Sequence, residues 1–168
     1  DMCGIVGTLD CSGQHRPDVG LLRRMLGIIR HRGPDEFGLY VDEHLGMGSA
    51  RLSIIDLSTG QQPIHNEDRS LWIVFNGEVY NYIELREELV AHGHVFYTHS
   101  DTEVILHLFE ELGPACLEQL NGQFAIAIWD TRRKSLFLAR DRLGVRPLFY
   151  APLPHGLVFG SEIKAILL

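Results

Sequence analysis

LWIVFNGEVYNYIELREELVAHGHVFYTHSDTEVILHLFEEL, residues 71–112, changes its hydrophobic period midway. LWIVF (71–75) is a short run of apolar residues that reads as a buried strand. The Asn76-Gly77 pair that follows, ahead of EVYNY, is by local rules a hairpin signal, because both residues tolerate positive φ. From 82 to 92 the apolar positions Ile83, Leu85, Leu89 and Val90 take up helical spacing, and Gly93 closes the run. Ser100 with Glu103 three residues later is the signature of a capping box ahead of VILHLFEEL. This predicts a second helix with Asp101 in its first turn.

Working outward, strands surround this pair of helices. CGIVGTL (3–9) reads as a buried first strand ended by the turn-like DCSG. Residues 18–30 return to helical spacing through Val19, Leu22, Met25, Leu26 and Ile29, with a basic last turn and a stop at Gly33. FGLYV (37–41) and LGMGSARLSII (45–55) read as strands, as do QFAIAIWD, SLFLARD, VRPLFYA and GLVFGS after the helices, and SEIKAILL is helix-like. Without regular βαβ alternation, this order predicts an α+β domain of two antiparallel sheets with helices packed outside.

The 168 residues suffice for one domain that buries roughly 70% of its unfolded surface. A formal net charge of −7, with basic residues gathered only at 30–32 and 132–134, argues against a nucleic-acid partner. No apolar stretch approaches the roughly 18–20 residues that cross a bilayer, and the first residues are not a signal peptide, so no membrane association and a cytoplasmic location are expected. Cys3, Cys11 and Cys116 form an odd set without CxxC spacing, which suggests neither a disulfide framework nor a zinc site. Among nine histidines, His92 and His94 flank Gly93 with no ligand-like neighbour at a regular offset, so no metal is expected.

Five features can carry chemistry, and each has a plainer reading. Cys3 is a free thiol near a chain terminus; a terminal amine, with a pKa of about 7.7–8.0, could serve as its base, yet a cysteine in an apolar strand is also an ordinary core residue. An Asn76 amide and a Gly77 N–H aimed at one point would make an oxyanion hole, although spacing alone favours the turn. Glu78 can meet a substrate ammonium or sit on a solvated face. Arg51, in an apolar segment, needs a carboxylate partner from a substrate or from a structural acid. Asp101 is stabilised by the helix dipole with or without a ligand.

The segments MCGIVG, HRGPDEFG, RLSIIDLSTGQQP, FNGEVYNY, SDTEVI, GQFAIAIWD, ARDRLGVRPLFY and SEIKAIL, in this order, resemble the amino-terminal glutaminase domain of asparagine synthetases and related amidotransferases. The likeness runs from residue 2 to the end. It implies a four-layer αββα sandwich of the N-terminal-nucleophile hydrolase type over residues 3–168, with Cys3 as the nucleophile that releases ammonia from L-glutamine through a γ-glutamyl thioester. By the same resemblance Asn76 and Gly77 are the oxyanion donors, Arg51 binds the α-carboxylate, and Glu78 and Asp101 hold the α-amino group. Leu52, Ser53, Ile54 and Ile55 line the pocket, and the HRGPD and ARDRLG segments are mainly architectural.

The resemblance also implies a synthetase domain, in cis or in trans, that receives the ammonia. ATP and Mg are expected only there, with no cofactor in this domain, and a homodimer is compatible with the pattern. Two departures stand out. Asp1 and Met2 precede Cys3 and read as a leader, whose presence would leave Cys3 without an amine base. Ser49 stands where relatives often carry His, which predicts altered support around Arg51 rather than loss of binding. The rivals are a peptidase-like or acylase-like hydrolase of the same fold, which the Arg51, Glu78 and Asp101 set disfavours, and a noncatalytic partner-binding module.

Overall fold

Strand pairing sorts the residues described in this computed structural model, 3–51 and 60–168, into two antiparallel sheets. The first has the order β2-β3-β1-β9-β8, built from β1 (Gly4–Asp10), β2 (Glu36–Val41), β3 (Leu45–Arg51), β8 (Phe149–Leu153) and β9 (Gly156–Gly160). The second has the order β4-β5-β6-β7, from β4 (Ile64–His65), β5 (Leu71–Val79), β6 (Gly122–Asp130) and β7 (Ser135–Arg140). Helix α1 (Val19–Ile28) follows β1, α2 (Tyr82–Ala91) and α3 (Asp101–Leu112) follow β5, and the short α4 (Ile163–Ile166) follows β9.

Alternation along the strands divides the core into three apolar layers. Ile5, Leu45, Met47 and Phe159 of the first sheet meet Val74, Ala125, Ala127 and Trp129 of the second. The other face of the first sheet, through Val6, Ala50 and Val158, packs on Leu22, Met25 and Leu26 of α1 and Ala165 of α4. The other face of the second, through Ile73, Phe75, Ile126 and Ile128, packs on Leu85 and Leu89 of α2 and on Val104, Ile105 and Leu108 of α3. The result is the four-layer αββα sandwich. Each such side chain contributes roughly 1.5–3 kcal/mol when fully buried.

The starts of α1 and α3 follow their caps. The Asp18 carboxylate accepts the Gly20 N–H at 2.7 Å, and the Ser100 hydroxyl accepts the Thr102 N–H at 3.1 Å. The expected capping box is only half present, because Glu103 does not return to Ser100. Fully buried, it accepts the Tyr97 N–H at 2.9 Å, the Thr98 N–H at 2.7 Å and the Thr98 hydroxyl at 2.5 Å. A buried carboxylate needs several donors, and the loop before the helix supplies them.

The hairpin expected at Asn76-Gly77 does not form. β5 runs unbroken through both residues and pairs with β6 from Leu71↔Asp130 to Val79↔Gly122, so the ladder overrides the local turn preference. Gly77 is held at φ +157°, and a Cβ there would lie 2.1 Å from the Gln123 carbonyl oxygen. The first half of VRPLFYA is loop rather than strand. Asp141 gathers the N–H groups of Leu143, Val145 and Arg146 at 2.9–3.1 Å and that of Phe124 at 3.2 Å, which ties this loop to β6 opposite Gly77. The two-residue β4 was not anticipated, being too short for any period to show.

Glycine at 77 is therefore a requirement of close approach as well as of backbone angle. Gly77→Ala should destabilise the domain by about 2–4 kcal/mol in urea unfolding, whereas Gly93→Ala, at φ +102° but with open space around it, should cost about 1 kcal/mol. Equal losses would show that the contact with Gln123 does not matter.

Candidate active site

Three contacts fix how the sheets are aligned. At one end Tyr40 and Trp72 meet in a tilted contact at 4.5 Å between ring centroids, and the Trp129 indole N–H donates to Asp42 at 2.6 Å. At the other end Gly60 packs between Arg51 and Ser100: a Cβ built on it would lie 3.5 Å from Arg51 Nη1 and 3.3 Å from Ser100 Cβ. The amino-terminal end of β1 and the end of β3 thus lie at the same end of the sandwich as residues 76–79 of β5.

Parity then brings the predicted residues together. Ile5 faces the second sheet, so Cys3, two residues earlier, extends the same face. The register Gly4↔Ala50 continues to Cys3 beside Arg51, and Met47, Ser49 and Arg51 share one face of β3. Opposite them, Asn76 lies two residues beyond the inward-facing Val74. Cys3 is half-buried, and β1 is anchored just beyond it by Ser161, whose hydroxyl accepts the Ile5 N–H and whose own N–H donates to the Ile5 carbonyl, both at 2.9 Å.

The loop at 30–35, which opens as a single turn of 3₁₀ helix, braces this end. The Asp35 N–H donates to the Arg51 carbonyl at 3.2 Å. Arg32 pairs with Glu162 in the segment ahead of α4, which also takes His31 at 2.8 Å and Lys164 at 3.1 Å. Burial pushes the Glu162 carboxyl up, but its bonds to Arg32, Lys164 and His31 outweigh this and hold it at about 2.

Polar groups at this end are left without partners. Asn76 is 1% exposed, and its Nδ2 has no hydrogen-bond acceptor among the described residues; the buried hydroxyl of Ser49 is likewise unmatched. Arg51 is half-buried and forms no ion pair with any described residue. An orphaned buried donor is costly, roughly 1–3 kcal/mol, so its retention points to a partner that arrives with a ligand.

Asp101 supplies the complementary pole. Its carboxylate accepts the Val79 N–H at 3.0 Å and receives the Ser100 hydroxyl at 3.4 Å, so the start of α3 is bolted to the end of β5. Burial raises the Asp101 pKa; hydrogen bonds from Val79, Thr102 and Ser100 oppose the rise, and the nearby charge of Glu78 adds to it. Glu78 itself is exposed. One cation and two acids thus lie at the same end of the sandwich as a thiol and an unmatched amide.

Leu52, Ser53, Ile54 and Ile55 lie outside the described residues. One contributor was not singled out from sequence: Gln62, whose Oε1 accepts the Phe75 N–H at 2.6 Å and whose Nε2 reaches Thr102 at 3.4 Å, joining the residue before Asn76 to the one after Asp101. Its place in the RLSIIDLSTGQQP segment is the signal that could have found it, and the structure buries it to 8% exposure. The cleft of about 440 Å³ between α1 and β2, lined by Arg23, Leu26, Arg30 and Phe37, opens on the outer face of the first sheet and is not this site.

Known proteins resemble this chain. The chain is 45% identical over 167 residues to the glutamine-hydrolysing asparagine synthetase 2 of Bacillus subtilis, covering 98% of the chain and 22% of that protein. It is 42% identical over 166 residues to the glutamine-hydrolysing asparagine synthetase 2 of Arabidopsis thaliana, covering 98% and 28%. The chain therefore spans about a quarter of the length of these relatives. The glutamine phosphoribosylpyrophosphate amidotransferase of B. subtilis, solved with ADP and GMP, shares the fold at a TM-score of 0.79 and 23% identity, over 97% of this chain and 42% of that one. A family model of the glutamine amidotransferase domain matches residues 2–168, and the chain belongs to that family.

Proposed function

We propose that this domain hydrolyses L-glutamine to glutamate and ammonia at the Cys3 end of the sandwich. The observation that carries the reading is the buried, unmatched Nδ2 of Asn76 on the face opposite Cys3. A tetrahedral oxyanion formed at Cys3 would be the acceptor that this donor lacks.

The chemistry follows from the residues. With Cys3 as the first residue, its amine takes the thiol proton, and the thiolate adds to the side-chain carbonyl carbon of glutamine. Asn76 Nδ2 and the Gly77 N–H stabilise the resulting oxyanion; losing one such donor typically costs about 3–4 kcal/mol in the transition state. The intermediate collapses as the ammonium group returns its proton to the departing nitrogen, releasing ammonia and leaving a γ-glutamyl thioester. Water, deprotonated by the same amine, attacks the thioester, and glutamate leaves with Cys3 restored.

Recognition rests on charge. The Arg51 guanidinium binds the α-carboxylate, and Asp101 and Glu78 take the α-ammonium, while Leu52, Ser53, Ile54 and Ile55 complete the pocket. A peptide or N-acyl substrate lacks one of these free poles and would leave Arg51 or the acids unsatisfied. The ammonia would pass to a synthetase, of which the relatives' names suggest an asparagine-forming one, and ATP and Mg would act there. No helix among the described residues is long and apolar enough to cross a membrane. Free thiols at Cys3, Cys11 and Cys116 suit the reducing cytoplasm.

A first test compares glutamine turnover by the chain as written with that of a chain beginning at Cys3, both termini defined by intact mass. Turnover should appear only in the second and vanish in its Cys3→Ala variant; equal turnover by both forms would exclude the amine base. In the active form, Arg51→Ala should raise KM for glutamine by about tenfold or more with little change in stability. An unchanged KM would put the carboxylate site elsewhere.

Asp101→Asn probes the other pole through pH. A carboxyl whose folded pKa lies above its unfolded value loses stability as pH rises from the unfolded value through the folded one, and the loss stays complete above it. Unfolding from pH 3 to 8 without glutamine should therefore show the variant gaining on the parent as pH rises, while its KM increases. A stability gap independent of pH would show that Asp101 carries no burial penalty.

A further inference from the structure

On the far side of α3 from the β5 contact, two histidines and two glutamates converge that the reaction above does not use. One ligand atom each from Glu67, His94, His107 and Glu110 lies within 4.8 Å of all the others. Glu67 belongs to the turn between β4 and β5, His94 to the loop after α2, and His107 and Glu110 to α3. We infer that this cluster is a binding site for a divalent transition metal of the zinc class, with a structural role.

The distances approach those of a tetrahedral site. Bonds of about 2.0–2.1 Å to imidazole and carboxylate imply ligand-to-ligand edges of roughly 3.3–3.4 Å. His94 Nδ1 is 3.4 Å from Glu67 and 3.8 Å from Glu110, and His107 Nδ1 is 3.5 Å and 3.6 Å from the same two carboxylates. These four distances, in which Glu67 offers Oε1 to His94 and Oε2 to His107, stand within about half an ångström of the required value, and with one atom from each residue all four ligands lie within 4.8 Å of one another.

His107 is the independent sign of a ligand. It is fully buried, and its Nδ1 has no hydrogen-bond partner although it faces the two carboxylates. Its other nitrogen, Nε2, lies 3.4 Å from the buried Glu103. His94 repeats the arrangement, with Nε2 3.1 Å from Glu111 and Nδ1 turned inward. A carboxylate behind each imidazole fixes the tautomer and leaves the opposite nitrogen's lone pair free, the usual outer support of a metal-bound histidine.

Charge balance points the same way. Glu67, Glu103, Glu110 and Glu111 meet three imidazoles, those of His94 and His107 and, at Glu111, that of His92, and none of them pairs with a Lys or Arg among the described residues. The Val95 N–H donates to Glu67 at 2.9 Å, which holds that carboxylate in place without neutralising it. A bound dication would offset the excess and join three segments that are far apart in sequence.

The experiment uses the whole chain, stripped with a chelator and titrated with Zn²⁺ and with Co²⁺. One Zn²⁺ per chain is expected, raising Tm by about 5–10 °C at a hundredfold excess over Kd. Co²⁺ should give the visible d–d bands of a four-coordinate site without a sulfur-to-cobalt charge-transfer band. Glu110→Gln, whose parent side chain is 35% exposed and tolerant of change, should weaken Zn²⁺ at least tenfold, as should His94→Gln. Absence of stoichiometric metal, a sulfur charge-transfer band, or affinity unchanged in both variants would overturn the site and leave the cluster as histidine–carboxylate ion pairs.

Discussion

The ladder between β5 and β6 is the constraint on which the active end of this molecule depends. It runs for nine residues without interruption, and it can do so only because residue 77 has no side chain to meet the Gln123 carbonyl. Were the chain to turn at Asn76-Gly77, Asn76 would leave the inner face, and the Val79 N–H would no longer meet Asp101. The proposed oxyanion donor Asn76 and the proposed ammonium contact Asp101 thus share one backbone requirement. Asp141 reinforces it from the opposite side by drawing the 143–146 loop onto the Phe124 N–H, so the partner strand is itself clamped at the level of Gly77.

The charges at this end stay apart among the described residues. Arg51 and Ser100 lie on either side of Gly60, with Asp101 next along the chain, yet Arg51 makes no ion pair with any described residue. Had the guanidinium closed on Asp101, the pair would satisfy itself and exclude a zwitterion. Instead Asp101 spends its hydrogen bonds on backbone N–H groups and the Ser100 hydroxyl, which tolerate its burial without cancelling its charge. A free amino acid offers the two missing opposite charges at a fixed separation.

Legibility in the sequence followed the physics of each signal. The first strand, helix α1 and the two central helices are set by local periodicity and caps, and they stand where the pattern predicted them. Asn76-Gly77 was misread because a turn preference is local whereas the β6 partner lies about fifty residues away. Glu103 was half misread for a similar reason: its donors come from the loop folded back over it rather than from its own helix end. The roles of Arg51, Glu78 and Asp101 could not be separated from structural alternatives one at a time. They acquired meaning from the family pattern and from the shared end of the sandwich.

The same limit hid the histidine cluster. Glu103, His107 and Glu110 occupy one face of α3 at spacings of four and three, which is visible in the sequence, but Glu67 and His94 arrive from other segments. Glu103 links the two halves of the helix. It receives the loop at 97–98 that leads to the Ser100 cap and Asp101, and it backs Nε2 of His107. Six residues separate Asp101 from His107, about 9 Å along a helix axis. A cation held at His107 would orient Glu103, and Glu103 already fixes the loop that carries Asp101 to its place. Rigidity at the ammonium-binding end of the domain would then be supplied from the opposite side of the helix, by groups that never touch the substrate.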